Sequence, residues 1–185
     1  MSEPVALDRG RVEIPFWRFV RDYAEDRWAI VAFVIASAVL FVAGFAPLIS
    51  PTNPYDLASL SILDNRQPPG SSGLRGGVTF YLGTDGLGRD MLSAIFYGLR
   101  LSIFVAFSSA FIAQCLGIAL GLTAAYFGGR VDTVMMRLVD IKLGFPSILI
   151  ALILLAILGP GIEKLIIALI VAQWAAYTRI MRGTA

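Results

Sequence analysis

Residues 101–127 read LSIFVAFSSAFIAQCLGIALGLTAAYF, 27 positions without a charged side chain. As a helix this stretch rises about 40 Å, more than the ~30 Å hydrocarbon core of a bilayer. Arg100 stands before it, and Gly128, Gly129 and Arg130 end it. Small residues recur at every fourth position, at Ser109, Ala113, Gly117, Gly121 and Ala125, leaving one face almost bare. In lipid, helices associate through close van der Waals contact, so a bare face invites a second helix. Packing within this chain is the first reading and a subunit interface the second. Gln114, the strongly polar side chain near the middle, reads as a hydrogen-bonding link between helices ahead of a pathway-lining group. Cys115 reads as a small packing residue.

Outward from this span the pattern repeats. Residues 28–49 form a run of 22 uncharged positions. The leader 1–27 carries Asp8, Glu13, Asp22, Glu25 and Asp26, unlike the short basic start of a signal peptide. An uncleaved first span over 28–49 is therefore expected, preceded by a cytoplasmic segment. A third apolar run, 143–162, extends back toward Asp132 and closes at Gly159-Pro160-Gly161, which predicts a span over 132–159. The run 165–178 is short for a span, but Trp174 and Tyr177 suit an interface and Arg179 and Arg182 can snorkel. A fourth span over 163–179 follows. Between the first two spans, 50–100 is hydrophilic and rich in proline and glycine, with a short strand expected near 78–82. From Met91 an apolar face (Met91, Leu92, Ile95, Phe96, Leu99) with Asp90 as N-cap predicts a short helix lying on the membrane surface.

The whole composition agrees: 57% of residues are hydrophobic and 15% charged, against about a quarter charged in soluble domains. There is no histidine and one cysteine. Ser-His-Asp and Cys-His catalysis, histidine zinc sites and disulfide frameworks are thereby excluded within these residues. A net charge of +2, evenly spread, gives no nucleic-acid signal. The expected fold is an all-α membrane protein, a transmembrane helix bundle. Basic residues orient it. Arg9, Arg11, Arg18, Arg21, Arg27, Arg130, Arg137, Lys142, Arg179 and Arg182 fall on one side; Arg66, Arg75, Arg89, Arg100 and Lys164 fall on the other. The N-terminus is predicted to be cytoplasmic and 50–100 external.

Some polar residues invite specific readings. Arg137 and Asp140, three apart, are placed to pair on one helix face. Asp132, after Gly128-Gly129, is expected to cap the third helix. Lys142 reads as an interfacial charge without a transport role. The stretch 83–90, Gly83-Thr84-Asp85-Gly86-Leu87-Gly88-Arg89-Asp90, fits neither a calcium loop nor a phosphate loop and reads as a tight turn into a capped helix. No nucleotide-binding motif occurs in the chain.

Six short motifs in order then become recognisable: LGTDGLGRD (82–90) with Ser93, YGLRLS (97–102), YFGGRVD (126–132), Arg137 and Asp140 with Pro146, LGPG (158–161) and WAAYTRIMRG (174–183). Over about 28–183 the chain resembles the inner-membrane permeases of binding-protein-dependent ABC importers. More narrowly it is similar to the second, C-type permease subunit of the dipeptide, oligopeptide and nickel class. That resemblance implies a six-helix permease of which four helices are present, in the bacterial inner membrane, with no cofactor of its own and no enzyme activity. It implies ATP and Mg²⁺ on two cytoplasmic ATP-binding subunits, a second permease, and a periplasmic solute-binding protein as partners. It places Gly83, Thr84, Asp85, Gly88, Arg89 and Asp90 near the periplasmic mouth of the pathway. Gly128, Gly129, Asp132, Arg137 and Asp140 belong to the turn between the second and third spans. Tyr177, Arg179 and Arg182, with 180–185, begin the segment that couples to an ATPase. The family continues well past Ala185, so a fragment or truncated product lacking the ATPase-docking surface is expected. Two other readings are a fragment of a secondary transporter and a membrane anchor or assembly protein whose working part is the loop. The first usually needs midmembrane acidic residues or histidine, the second a loop that folds alone.

Overall fold

The computed structural model describes residues 20, 23–56, 61–74 and 77–185. Most of the 1–27 segment, including Arg9, Arg11, Arg18 and Arg21, lies outside the described residues, as do Arg75 and Gly76. Five long helices form the framework: α1 Arg27–Ile49, α2 Met91–Phe127, α3 Gly129–Leu143, α4 Ser147–Leu158 and α5 Ile162–Thr184. Two-residue strands β1 Ser71–Ser72 and β2 Thr79–Phe80 pair antiparallel within the loop, Ser71 opposite Phe80. α1, α2 and α5 are each long and apolar enough to cross a membrane, and α3 with α4 makes a bent pair. The protein is a multi-pass membrane protein.

α1 begins where Asp26 accepts a hydrogen bond from the Trp28 N–H at 2.9 Å. It packs on α2 near its far end, where Ala43 and Ala46 are buried. Most of its remaining surface is exposed, as expected of a helix whose surroundings are lipid or further protein.

α2 is one continuous helix of 37 residues, not a surface helix followed by a separate span. A charge such as Arg100 ends an apolar run without ending a helix; nothing in 91–127 removes a backbone donor. At about 55 Å the helix exceeds the hydrocarbon thickness, so its first turns project beyond it.

The expected third span over 132–159 is two helices, α3 and α4, bent by 83°. Gly144 closes α3 by donating to the carbonyls of Asp140 (3.0 Å) and Ile141 (3.2 Å). Pro146 then supplies no N–H and disfavours helical geometry at Phe145, so the helix cannot run through. α3 starts at Gly129, which puts Asp132 in its first turn and not at the cap. α4 alone spans only about 18 Å, less than a bilayer core.

α5 runs parallel to α2 and packs against it along most of its length. Its helix continues through Thr184, so 180–184, expected to begin the coupling segment, are helical and continuous with the expected fourth span. The seam between α2 and α5 is built from small residues: Ser109, Ala113, Gly117, Gly121 and Ala124 on α2, Ala175 and Thr178 on α5. Ala124, not Ala125, is the buried residue at the last position. Nearer its start α5 packs Ala168 and Ala172 on Ala151 of α4, with Leu154 and Leu155 around them. Gln114 and Cys115 face outward and link no helices among the described residues.

Candidate functional site

The sequence-predicted residues gather at the two ends of the α2–α5 pair. At the loop end, 83–90 folds into a compact knot. Gly83 and Gly88 both adopt φ +77°, and a Cβ there would lie 2.4 Å from the Gln67 carbonyl and 2.2 Å from the Ser61 carbonyl. Only glycine lets the chain turn and pass this closely. Thr84 is buried and ties two segments together: its hydroxyl donates to the Asp64 carbonyl at 2.5 Å and accepts the Gln67 N–H at 2.8 Å. Asp64, which the sequence reading did not single out, is also buried, and its carboxylate accepts the Leu74 N–H at 2.8 Å. Its signal was absent because a lone aspartate in a polar loop looks solvated.

Asp90 caps α2. Its Oδ2 accepts the Ser93 N–H at 2.9 Å and the Ser93 hydroxyl at 2.6 Å. Its Oδ1 is buried without a hydrogen-bond partner, a charge placed at the positive end of a long helix dipole. Ser93 in turn accepts the Thr52 N–H at 3.1 Å, which joins the segment after α1 to the start of α2. The knot is thus fixed to both helices.

Asp85 accepts the N–H groups of Leu87 (2.8 Å) and Arg89 (2.9 Å), and the Arg89 guanidinium sits 2.9 Å from its other oxygen. Burial pushes the Asp85 carboxyl up, but the hydrogen bonds from Arg89 and Leu87 and the Arg89 charge outweigh it and hold the carboxyl below its ordinary value. A group depressed in the folded state adds stability that is complete above its unfolded pKa and disappears as pH falls through the folded one. Protection of the Leu87 and Arg89 amides, corrected for intrinsic exchange, should therefore drop below about pH 4. In Asp85→Asn it should be weak already at neutral pH and change little on acidification. Unchanged protection in the variant would refute the role of this carboxylate.

At the opposite end, α3 is tied to α5 by two ion pairs. Asp132 receives Arg182 through Nε at 2.9 Å and through a second nitrogen at 2.5 Å. Asp140 pairs with Arg179 on α5, not with Arg137 on its own helix. Eight residues along α3 correspond to three along α5, so α3 crosses α5 steeply and lies across the bundle end. The Lys142 ammonium donates to the Ala172 carbonyl and to the Ser147 hydroxyl (3.3 Å), bridging the α3–α4 bend to α5. Lys142, expected as part of an interfacial charge cluster, is thereby held by partners on two other helices. Gly128 and Gly129, at φ +58° and +50°, make the reversal from α2 into α3.

Between the two ends, Gly117 faces the Tyr177 Cβ and the Thr178 backbone, and Gly121 faces Thr178 and Met181. The sequence reading found the α2 side of this seam and missed Ala175 and Thr178 on α5, and with them Ala168 and Ala172, which pack on α4. The signal was present as alanines four and three apart (168, 172, 175).

The profile of the family described as binding-protein-dependent transport system inner membrane component matches residues 117–185. A second profile, the N-terminal TM domain of oligopeptide transport permease C, matches 15–69. The di/tripeptide transport system permease protein DppC of Pseudomonas aeruginosa is 38% identical over 170 residues, 91% of this chain and 54% of the relative. The chain belongs to this permease family. Among further relatives, the oligopeptide permease protein OppC of Bacillus subtilis is 30% identical, covering 99% of this chain and 59% of its own length. The glutathione transport system permease protein GsiD of Pectobacterium atrosepticum is 31% identical over 97% of the chain and 56% of the relative. The permease chain spans a little over half the length of these relatives.

Proposed function

We propose that this chain forms half of the transmembrane pathway of an ABC importer for peptides or related small solutes. The observation that carries the proposal is the identity to a permease named for di- and tripeptides, which extends over nine-tenths of the chain. The energy is supplied in trans, by ATP and Mg²⁺ on two cytoplasmic subunits; a second permease completes the pathway, and a periplasmic binding protein delivers the solute. The chain sits in the inner membrane with its N-terminus in the cytoplasm. Charge supports this orientation, because Arg130, Arg137, Lys142, Arg179 and Arg182 cluster where α2 and α5 end, and Arg66, Arg89 and Arg100 lie at the other end. In this reading the 83–90 knot stands at the periplasmic mouth, and Tyr177, Arg179 and Arg182 lead toward an ATPase.

The direct test is to tag the native gene, extract in mild detergent and identify what co-purifies, then reconstitute the complex and follow uptake of a radiolabelled dipeptide. An ATPase, a second permease and ATP-dependent uptake are expected. A solitary protein without uptake would overturn the proposal and favour an anchor. The ion pairs at the cytoplasmic end give a finer test. Asp132→Arg and Arg182→Asp should each reduce uptake to below half of wild type, and the exchanged pair should restore most of it. Failure of the exchange to rescue would show that the pair does not carry the coupling.

A further inference from the structure

A groove of about 420 Å³ opens where α2 emerges toward the loop, lined by Tyr55, Tyr97, Arg100, Leu101, Phe104 and Ile162. Three elements build it: the segment after α1, the outer third of α2 and the first residue of α5. Tyr55 and Tyr97 meet edge to face, their ring centres 5.8 Å apart, which fixes one wall. Arg100 is the charged residue of the lining, and among the described residues it has no ion-pair partner.

Depth gives the groove its chemistry. Arg100 immediately precedes the 27 uncharged residues of α2, so its guanidinium lies at headgroup level while Leu101 and Phe104 lie at the start of the hydrocarbon. The wall is therefore graded from a cation flanked by two phenols to bare apolar side chains. A guanidinium binds phosphate oxygens through paired N–H donors. Tyrosine suits the same level, with ring in the acyl region and hydroxyl in the headgroups. A free carboxylate solute would leave the apolar wall uncovered; a phospholipid covers both parts at once.

We propose that this groove holds an anionic phospholipid, its phosphate on Arg100 and one acyl chain along Leu101, Phe104 and Ile162. The site lies against the joint between α2 and the loop, so its occupant would brace the outer end of α2. The proposal requires the membrane setting but not the identity of the transported solute.

The test uses the full-length permease in its assembled complex, purified in mild detergent and incubated with equal amounts of phosphatidylglycerol and phosphatidylcholine. Native mass spectrometry then reads the ratio of the two lipids retained. Wild type should favour phosphatidylglycerol. Arg100→Gln should lower that ratio about fivefold, and Arg100→Lys should keep most of it. Arg130→Gln, at the opposite end of α2, should leave it unchanged. Co-purification of the partner subunits checks that each variant has assembled. Absence of a preference in wild type, or its persistence in Arg100→Gln, overturns the proposal. So does displacement of phosphatidylglycerol by a dipeptide with a free C-terminus but not by its amide, which would assign the guanidinium to a solute carboxylate.

Discussion

Gly117→Val should destabilise the assembled permease by about 3 kcal/mol, read as a fall in its thermal unfolding midpoint in detergent. A Cβ at Gly117 lies 2.4 Å from the Tyr177 Cβ and 2.9 Å from the Thr178 nitrogen. Both obstacles are at or next to backbone, so no rotamer change relieves the clash and the two helices must separate. Separation is costly here because the seam consists of small residues whose contacts exist only at close approach. Water offers no compensating hydrophobic drive, since the alternative environment is lipid. Even Gly117→Ala should cost about 1–3 kcal/mol. Gly98, in the same helix, has open space around it, and Gly98→Ala should be neutral or stabilising by up to about 1 kcal/mol. Equal effects of the two alanine substitutions would show that α2 and α5 do not pack as described.

That contrast also shows what was legible before the structure. The period-four row of small residues on α2 was visible because its neighbours are large and apolar, so the bare face stood out. The matching row on α5 was harder to see, since alanine is common in any helix and Thr178 sits among polar residues. The start of α2 is hidden from hydropathy for a different reason. Hydropathy marks where a segment leaves lipid, and Arg100 marks that point, but the backbone hydrogen bonds continue through it from Met91 to Phe127. In the third span the reverse happened. Hydropathy ran smoothly past Gly144 and Pro146, and the missing donor at Pro146 decided the bend.

The charged residues divide along the same line. Sequence spacing exposes partners on one helix, which is why Arg137 and Asp140 looked paired. It does not expose partners brought together by a crossing. Asp140 with Arg179 and Asp132 with Arg182 are separated by 39 and 50 residues, and both pairs exist only because α3 turns across the end of α5. Asp85 with Arg89 is the local case, four residues apart, and it lies inside a motif that was recognisable.

Within that motif, Gly88→Ala should abolish the knot while leaving the helices intact. The backbone there sits at φ +77°, and an added Cβ would be 2.2 Å from the Ser61 carbonyl oxygen. Left-handed strain and the backbone clash together should cost about 3 kcal/mol. Amide protection at Arg66, Gln67 and Leu74 should fall together, because Thr84, Asp64 and the Asp85 carbonyl hold these N–H groups from within one network. Helical circular dichroism should not change, since the hydrogen bonds of α2 are internal to it. Gly86, two residues away, has open space around it; Gly86→Ala should preserve both protection and uptake. A loop that served only as a tether would tolerate either substitution. Loss of ATP-driven uptake in Gly88→Ala alone would require that the shape of the knot matters to transport. That is the behaviour expected of a surface against which a binding protein presents its cargo. Equal uptake in the two variants would reduce the knot to a connector between α1 and α2.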